Sequence, residues 1–245
     1  MPPKSKAEAI ATAANLLPAG LGANLPGLLD CQRCPRLATY RNTLPPKGGR
    51  SRDDYWGRPV PGFGDPRARL FLVGLAPGAH GANRTGRPFT GDGAGDFMYP
   101  LLHQAGFANQ AESLELQDGF ALHDLYISNA VKCVPPENKP RPEEFTACLS
   151  YLEQELKSLP DLQVVLALGQ NAFRSYLQLL KQQGIISRFA DHPFGHGRIY
   201  RFGSGPRLVA SYHTSRYNLQ TGRINTEMFL DLLADIRSLL DGENG

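Results

Sequence analysis

The sequence predicts an α/β fold, in which a central four-stranded parallel sheet lies between two layers of helices. Two observations predict this three-layer α/β/α sandwich. Four short, almost continuously apolar runs have the length and composition of buried strands, and helical patterns lie between them. The runs are Leu70–Ala76, Leu125–Val131, Leu162–Leu168 and Arg207–Tyr212. Because ligands bind at the carboxyl ends of the strands in such sheets, we expect the functional site there.

The helical segments have apolar residues at spacings of three and four, which gives each one a face that can pack on the sheet. They are predicted at Gly95–Gly106, Pro142–Leu159, Asn171–Gln183 and Asn225–Leu240. A short extra strand is predicted at Ile199–Phe202. Residues 45–65 are rich in Gly, Pro and Arg, which predicts a long loop. Residues 1–20 are predicted to form a short helix or a tail, and residues 1–245 a single domain.

Composition limits the classes of protein to which this chain can belong. Hydrophobic residues make up 41% of the chain and charged residues 20%, which supports a globular core and excludes wholesale disorder. The formal net charge of +3 permits an anionic partner without requiring one. No apolar stretch reaches the roughly 18 residues that a membrane span needs. We therefore expect a cytoplasmic protein, whose cysteines are thiols or metal ligands rather than disulfides.

Four cysteines stand in an arrangement that suggests a metal site. Cys31 and Cys34 form a C-x-x-C pair, a spacing that lets two sulfurs point at one metal, and Cys133 and Cys148 follow much later. Four thiolates in a cytoplasmic chain suit zinc or an iron–sulfur cluster. The second pair lacks the close spacing of a zinc knuckle, which favours a 4Fe–4S cluster without excluding zinc. In the alternative interpretation, Cys133 and Cys148 are ordinary buried cysteines.

The segment that follows the first strand, residues 74–92, reads GLAPGAHGANRTGRPFTGD. Its glycines would let main-chain amides approach a ligand, but it is neither a Walker loop nor a dinucleotide fingerprint. Phe89 is placed to stack on a planar ring, and Asp92 is a nearby carboxylate that also suits a helix N-cap. Arg84 and Arg87 are candidates for phosphate contacts or for surface ion pairs. The alternative is a structural turn in which Phe89 fills the core.

Two polar residues at strand ends are candidate ligand contacts. Asn129 lies near the end of the second apolar run, where its amide needs a partner and offers both a donor and an acceptor. His213 follows the fourth run within SYHTSRYN and is a candidate for stabilising developing negative charge. Structural alternatives exist for both, because Asn129 can pair with loop backbone and a lone histidine is often structural.

Together, these segments resemble the uracil-DNA glycosylase superfamily, and specifically its family 5. The resemblance spans roughly Cys31 to Leu240 and rests on the cysteine set and on GLAPGAHGANRTGRPFTGD, NAVKCVPPENKPRPEEFTAC and SYHTS. It implies a 4Fe–4S cluster rather than zinc, held by the four cysteines. It also implies excision of uracil, and of deaminated bases such as hypoxanthine, by hydrolysis of the N-glycosidic bond in base excision repair. We expect a monomer that acts on double-stranded and also single-stranded DNA.

The resemblance assigns roles residue by residue. Phe89 would stack on the flipped base, Asn129 would bond its edge, and His213 would face the oxygen that gains charge. Asp92 would lie near the sugar and take part in catalysis with Asn129 and His213. The expected substrate contacts are Gly74, Ala76, Phe89, Asn129 and His213, and the expected DNA contacts are Arg84, Arg87, Ser215 and Arg216.

Two departures from the superfamily pattern matter. Ala76 stands where the best-known uracil glycosylases have the Asp that positions the attacking water, so the group that activates water is left open. Thr214 replaces the proline of the usual His-Pro-Ser, which predicts a looser loop. Ala76 also keeps a rival open, a non-catalytic iron–sulfur protein that binds nucleic acid. A second rival, a family 4 enzyme, usually has Glu where this chain has Leu75.

Overall fold

Six strands form one mixed sheet at the centre of the molecule. In the computed structural model, which describes residues 25–242, the two-residue strands β1 (Phe63–Gly64) and β5 (Ile199–Tyr200) pair antiparallel at the two edges. Between them lie four mutually parallel strands: β2 (Leu70–Gly74), β3 (Leu125–Asn129), β4 (Val164–Leu168) and β6 (Arg207–Ser211). The spatial order is β1-β3-β2-β4-β6-β5. The predicted four-stranded parallel sheet is therefore confirmed, with a short antiparallel strand added at each edge.

The helices within the described range are α1 (Pro35–Thr43), α2 (Ala82–Thr85), α3 (Gly93–Gln104), α4 (Pro142–Lys157), α5 (Gln170–Gln182), α6 (Arg216–Gln220) and α7 (Thr226–Asp241). The four long helices, α3, α4, α5 and α7, lie where the apolar spacing predicts them. Single 3₁₀ turns lie at Arg52–Asp54, Pro136–Asn138 and Phe189–Asp191. Local residues set the ends of the long helices, since a proline opens α4 and Gly242, at φ 81°, closes α7.

The helices cover both faces of the sheet. Leu70 and Leu72 of β2 point into one core, which α3 and α7 close, whereas Phe71 and Val73 point into the other, which α4 and α5 close. Successive strand residues face opposite sides, so each strand buries both of its faces. This confirms the α/β/α sandwich.

Several local features differ from the sequence predictions. The predicted loop at residues 45–65 includes the turn at Arg52–Asp54 and the edge strand β1, and the helices α1, α2 and α6 were not predicted. These helices have nine, four and five residues, too few to show a clear period. The predicted N-terminal helix or tail lies outside the described residues, and the single domain stays a prediction. No helix within residues 25–242 is long and apolar enough to cross a membrane.

Candidate active site

The candidate site forms where β2 and β3 end side by side. Gly74 and Asn129 are register partners on these two strands. A side chain at Gly74 would clash with the Phe89 ring and would approach Asn129 Oδ1 to 2.5 Å. The absence of a side chain at Gly74 therefore lets Phe89 and Asn129 meet above the strand ends.

Phe89 is held in an unusual backbone conformation. Its φ of 57° lies in the left-handed region, which a bulky side chain seldom adopts. Tyr99 Oη donates to the carbonyl of the preceding Pro88 at 2.6 Å, and the α-carbon of Gly95 packs against the carbonyl of Phe89 itself. Such strain persists only where the surroundings hold it, and it is common at ligand sites.

His213 approaches the same place from the end of β6. Its ring centroid lies 6.3 Å from that of Phe89, with an angle of 36° between the planes. Burial lowers the pKa of His213 to about 4, so the imidazole is neutral near pH 7. The Nδ2 of Asn218 donates to the His213 carbonyl at 2.8 Å, which fastens this loop. A neutral imidazole is a hydrogen-bond donor that carries no charge of its own into the site.

We call the surface at these strand ends that Phe89, Asn129 and His213 border the pocket, and its polar side-chain groups have no partner among the described residues. Asn129 is only 3% exposed, yet its side-chain amide forms no hydrogen bond with the described residues. The ring nitrogens of His213 also form none within residues 25–242. Neither side chain is among those of the described residues whose polar atoms are both fully buried and unpartnered, so these atoms reach solvent. These groups are therefore available to a ligand.

Asp92 combines a structural and a pocket position. Its Oδ1 accepts from the main-chain N–H groups of Ala94 and Gly95, both at 3.1 Å, which makes it the N-cap of α3 as predicted. Its Oδ2 lies against Gly78 and Gly81, where added side chains would come within 3.1 and 2.7 Å of it. Burial raises the pKa of Asp92 despite the two N–H donors. The N-cap role therefore leaves one carboxylate oxygen facing the glycine-rich loop.

One of the predicted DNA contacts, Arg87, lies inside the protein. Arg87 is 1% exposed, pairs with Asp118 at 2.6 Å and lies between the rings of Phe63 and Phe120. A buried and paired guanidinium cannot reach a phosphate. The burial of Arg87 could not be predicted from the sequence, because the glycine-rich segment has no periodicity that distinguishes buried from exposed positions.

The other three predicted DNA contacts lie nearer the surface. Arg84 is half-buried and donates to the His80 carbonyl, and Ser215 caps α6 by accepting from Asn218 N. Arg216 is 74% exposed and lies 3.6 Å from Asp96, across Gly93. Tyr217, next to it, is 71% exposed. Arg216 is the freest of the predicted cations at this edge of the sheet.

The four cysteines line one cavity, although they are far apart in the sequence. Cys133 and Cys148 are buried, Cys31 and Cys34 are half-buried, and all four are free thiols. Arg41 Nη1 donates to Cys133 Sγ at 3.0 Å, whereas the buried Arg41 Nε has no partner in the described residues. Within that range no group of three or more His, Cys, Asp or Glu is arranged to hold a single metal ion.

A buried ion pair connects this cavity to the pocket. Lys132 and Glu155, 1% and 0% exposed, pair at 2.5 Å, and both also bond the Ser128 hydroxyl. Ser128 precedes Asn129 at the end of β3, while Glu155 lies on α4, which also carries Cys148. The cysteine-bearing helix is thereby tied to the pocket strand.

Similarity to known proteins identifies the family of this chain. The model of the uracil DNA glycosylase superfamily matches residues 61–237. The chain belongs to this superfamily. A type-5 uracil-DNA glycosylase of Thermus thermophilus is 50% identical over 86% of this chain and 94% of its own, and one of Pyrobaculum aerophilum is 42% identical over 84% and 87%. A type-4 enzyme of Archaeoglobus fulgidus is 31% identical over 63% and 69%. The predicted family is confirmed, and the type-5 relatives match more of the chain.

In this superfamily member, Ala76 packs against the apolar cluster that contains Leu37, Val131, Cys133 and Cys148. The methyl group of Ala76 cannot orient water. The only acidic residue in the glycine-rich segment, residues 74–92, is Asp92.

Some contributors to the superfamily site were not identified from the sequence. Gly78 and Gly81 make room for Asp92, and Gly169, at φ 86°, makes room for His213, whose Cβ would lie 3.2 Å from an added side chain. Arg41 contacts a cysteine from the last turn of α1. Glycines after a strand end were a usable signal for the first group, whereas no local pattern marks Arg41.

Proposed function

We propose that this chain excises uracil from DNA by hydrolysing the N-glycosidic bond, as a base excision repair enzyme. The single observation that carries the proposal is the meeting of Phe89, Asn129 and His213 at the strand ends, with the polar groups of the last two unpaired. An aromatic face, an amide and a neutral imidazole are suited to hold a flipped pyrimidine. Relatives named type-5 uracil-DNA glycosylases support the same activity.

The reaction needs stabilisation of two opposite charges. The carbon–nitrogen bond breaks, its electron pair leaves with the base, and the sugar becomes cationic. His213 donates a hydrogen bond to the base oxygen that gains charge, while Asn129 bonds the base edge. The Asp92 carboxylate faces the cationic sugar and orients the water that adds to it. The water's oxygen bonds to the sugar carbon, and its proton leaves to solvent.

The range of bases follows from the pocket. With Ala76 in place of a water-orienting carboxylate, we infer that recognition rests more on stacking and hydrogen bonding than on activation of water. Stacking on Phe89 is tolerant of base identity, because every base has an aromatic face. We therefore propose that hypoxanthine is excised as well as uracil. A mispaired base costs less to flip, which favours uracil opposite guanine.

Single-turnover base release tests this function. Duplexes that carry uracil opposite guanine, uracil opposite adenine, or hypoxanthine are incubated with excess protein, alongside an undamaged duplex. We expect uracil release from all uracil duplexes, fastest opposite guanine, with slower release of hypoxanthine. Binding to uracil duplexes without any base release would favour the rival, a non-catalytic DNA-binding protein, which the relatives do not favour.

We also propose that Cys31, Cys34, Cys133 and Cys148 hold a 4Fe–4S cluster. Their shared cavity supports this, and so does the unpaired N–H of Arg41 beside Cys133, since such donors bond cluster sulfurs. Four thiolates are also the usual ligands of such a cluster. Such a cluster supplies electron-transfer chemistry in general, and hydrolysis requires none. Here the cysteines would join α1, α4 and the end of β3.

The metal content decides the cofactor. We expect brown protein with about four iron atoms per chain, and a loss of iron and of thermal stability in Cys133→Ser. Tyr151→Phe, which lines the same cavity without a thiol, serves as the matched control and should keep its iron. Colourless protein with one zinc per chain would overturn the iron assignment.

The remaining expectations concern the surroundings of the enzyme. We propose a monomer in the cytoplasm, where reducing conditions keep the four thiols available. We also propose that it acts on single-stranded as well as double-stranded DNA, because a base without a partner needs no unpairing. Light scattering tests the first proposal, and base release from a uracil-containing single strand tests the last.

A further inference from the structure

An exposed turn beside the glycine-rich segment carries two cations with no acidic partner. We call residues 47–50, Lys47, Gly48, Gly49 and Arg50, the lysine–arginine loop, and all four are exposed. Neither Lys47 nor Arg50 forms an ion pair with any described carboxylate. Both glycines have positive φ, 71° and 73°, which allows the tight turn. The main-chain N–H groups of the two glycines donate to no described group.

The lysine–arginine loop is anchored to the pocket motif. Lys47 N donates to Tyr55 Oη at 3.2 Å, and Tyr55 Oη bonds His80 Nδ1 at 2.8 Å. The next two residues also contact this segment, since Trp56 N donates to the Arg84 carbonyl at 2.8 Å and Gly57 N to the Asn83 carbonyl at 3.1 Å. The loop is thus held in place before any ligand arrives, which reduces the entropy cost of binding.

These anchors place the lysine–arginine loop on the Asp92 side of the pocket. His80 precedes Gly81, whose α-carbon packs against Asp92. Burial, and then the positive charge of Lys47, lower the pKa of His80, so the ammonium group lies within electrostatic range of this segment. Phosphates that flank a sugar facing Asp92 would therefore lie on the side of the pocket to which the loop is anchored.

We propose that the lysine–arginine loop binds the phosphodiester backbone of the DNA strand whose base enters the pocket. This inference rests on the proposed glycosylase function and gives the role expected of Arg87 to Lys47 and Arg50. Cations without acidic partners can release counterions from DNA, and the exposed glycine N–H groups are further donors to phosphate oxygens. A flipped nucleotide needs its backbone fixed on both sides, and Arg216 is a further exposed cation, whose charge acts on Asp92.

Salt-dependent DNA binding tests the loop. The double variant Lys47→Gln/Arg50→Gln is compared with wild-type protein on a uracil-containing duplex and on the same duplex without uracil. We expect affinity to fall by roughly tenfold at low salt, and the slope of log affinity against log salt to fall by about two, one for each lost phosphate contact. The matched control Lys157→Gln/Lys181→Gln removes two exposed cations at the C-terminal ends of α4 and α5 and should change neither quantity.

The outcomes separate this inference from the proposed function. Base release at saturating protein overcomes a defect that lies in binding alone, so the double variant should recover excision there. If the double variant kept its DNA affinity and salt slope while the wild type excised uracil normally, the proposed role of the loop alone would be wrong. Equal losses in the control variant would also overturn it, because net charge would then be the cause. A wild-type protein that binds DNA but releases no uracil would overturn the proposed function instead.

Discussion

The glycine-rich segment has a front that faces the pocket and a rear that faces the core, and the two are built on opposite principles. At the front, Asn129, the His213 ring and Asp92 Oδ2 have no hydrogen-bond partner among the described residues. At the rear, Arg87 and Thr90, which flank Phe89, are paired with buried partners. The front keeps its bonding capacity for a ligand because the rear fixes the backbone.

The rear pairs illustrate how firmly the backbone is held. Arg87 donates to Asp118 at 2.6 Å and to Thr90 at 3.0 Å, and Thr90 bonds Ser113 at 2.7 Å. Burial alone would raise the pKa of Asp118, but Arg87 and three main-chain N–H groups lower it to about 2. Precise sites depend on such supporting contacts, because a loose side chain loses the geometry of the reaction.

The largest expected effect is on the rear. Arg87→Met removes one member of a buried ion pair and should lower the free energy of unfolding by about 3 kcal/mol, as measured by denaturant unfolding. The matched control Arg188→Met breaks an exposed pair with Asp191 and should cost less than about 1 kcal/mol. Equal stability of the two variants would mean that the rear is not held by this pair.

A substitution at the front should lower activity and leave stability nearly unchanged. His213→Ala should lower the single-turnover rate of uracil excision by roughly 10²-fold, the effect of losing one donor to a developing charge. Stability and duplex affinity should change little, because the ring forms no hydrogen bond with the described residues. His103→Ala, an exposed histidine at the end of α3, serves as the control. A normal rate in His213→Ala would remove this residue from the site.

The comparison also explains what the sequence could predict. Asn129 and His213 were predictable because a parallel sheet brings the carboxyl ends of its strands together, so two strand-end residues far apart in the chain must meet. Asp92 was predictable as a cap from its place before α3. Arg87 was not, because its direction depends on Asp118, Phe63 and Phe120, which reach it only through the tertiary fold.

Asp92 has both a structural and a pocket role, because its Oδ1 caps α3 and its Oδ2 faces the glycine-rich loop. A variant of Asp92 can separate these two roles. Asp92→Asn keeps an N-cap that is as good as Asp, and stability should therefore hold. The loss of charge beside the cationic sugar should lower the single-turnover rate by roughly 10²-fold. A variant within about threefold of the wild-type rate would leave only the cap, and Asn129 and His213 would have to provide the chemistry.

The pH dependence of excision by the wild type also tests whether the Asp92 carboxylate takes part in catalysis. Because burial raises the pKa of Asp92, its carboxylate should protonate above the ordinary range of an Asp, and excision should slow as the pH falls through that point. His213, with a pKa of about 4, should add no inflection near neutral pH. Asp92→Asn should abolish the acid limb, which measurement of single-turnover rates against pH would reveal.

The smallest expected effect concerns Arg216, at the front but outside the pocket. It lies 3.6 Å from Asp96 and is 74% exposed, so this surface pair contributes little to stability. Arg216→Gln should weaken duplex binding several-fold and reduce the salt slope by about one, as expected for one phosphate contact. Its positive charge also lowers the pKa of Asp92 slightly, so the acid limb of excision should move to higher pH in the variant. Weaker binding without a shifted acid limb would mean that Arg216 contacts DNA but does not influence the catalytic carboxylate.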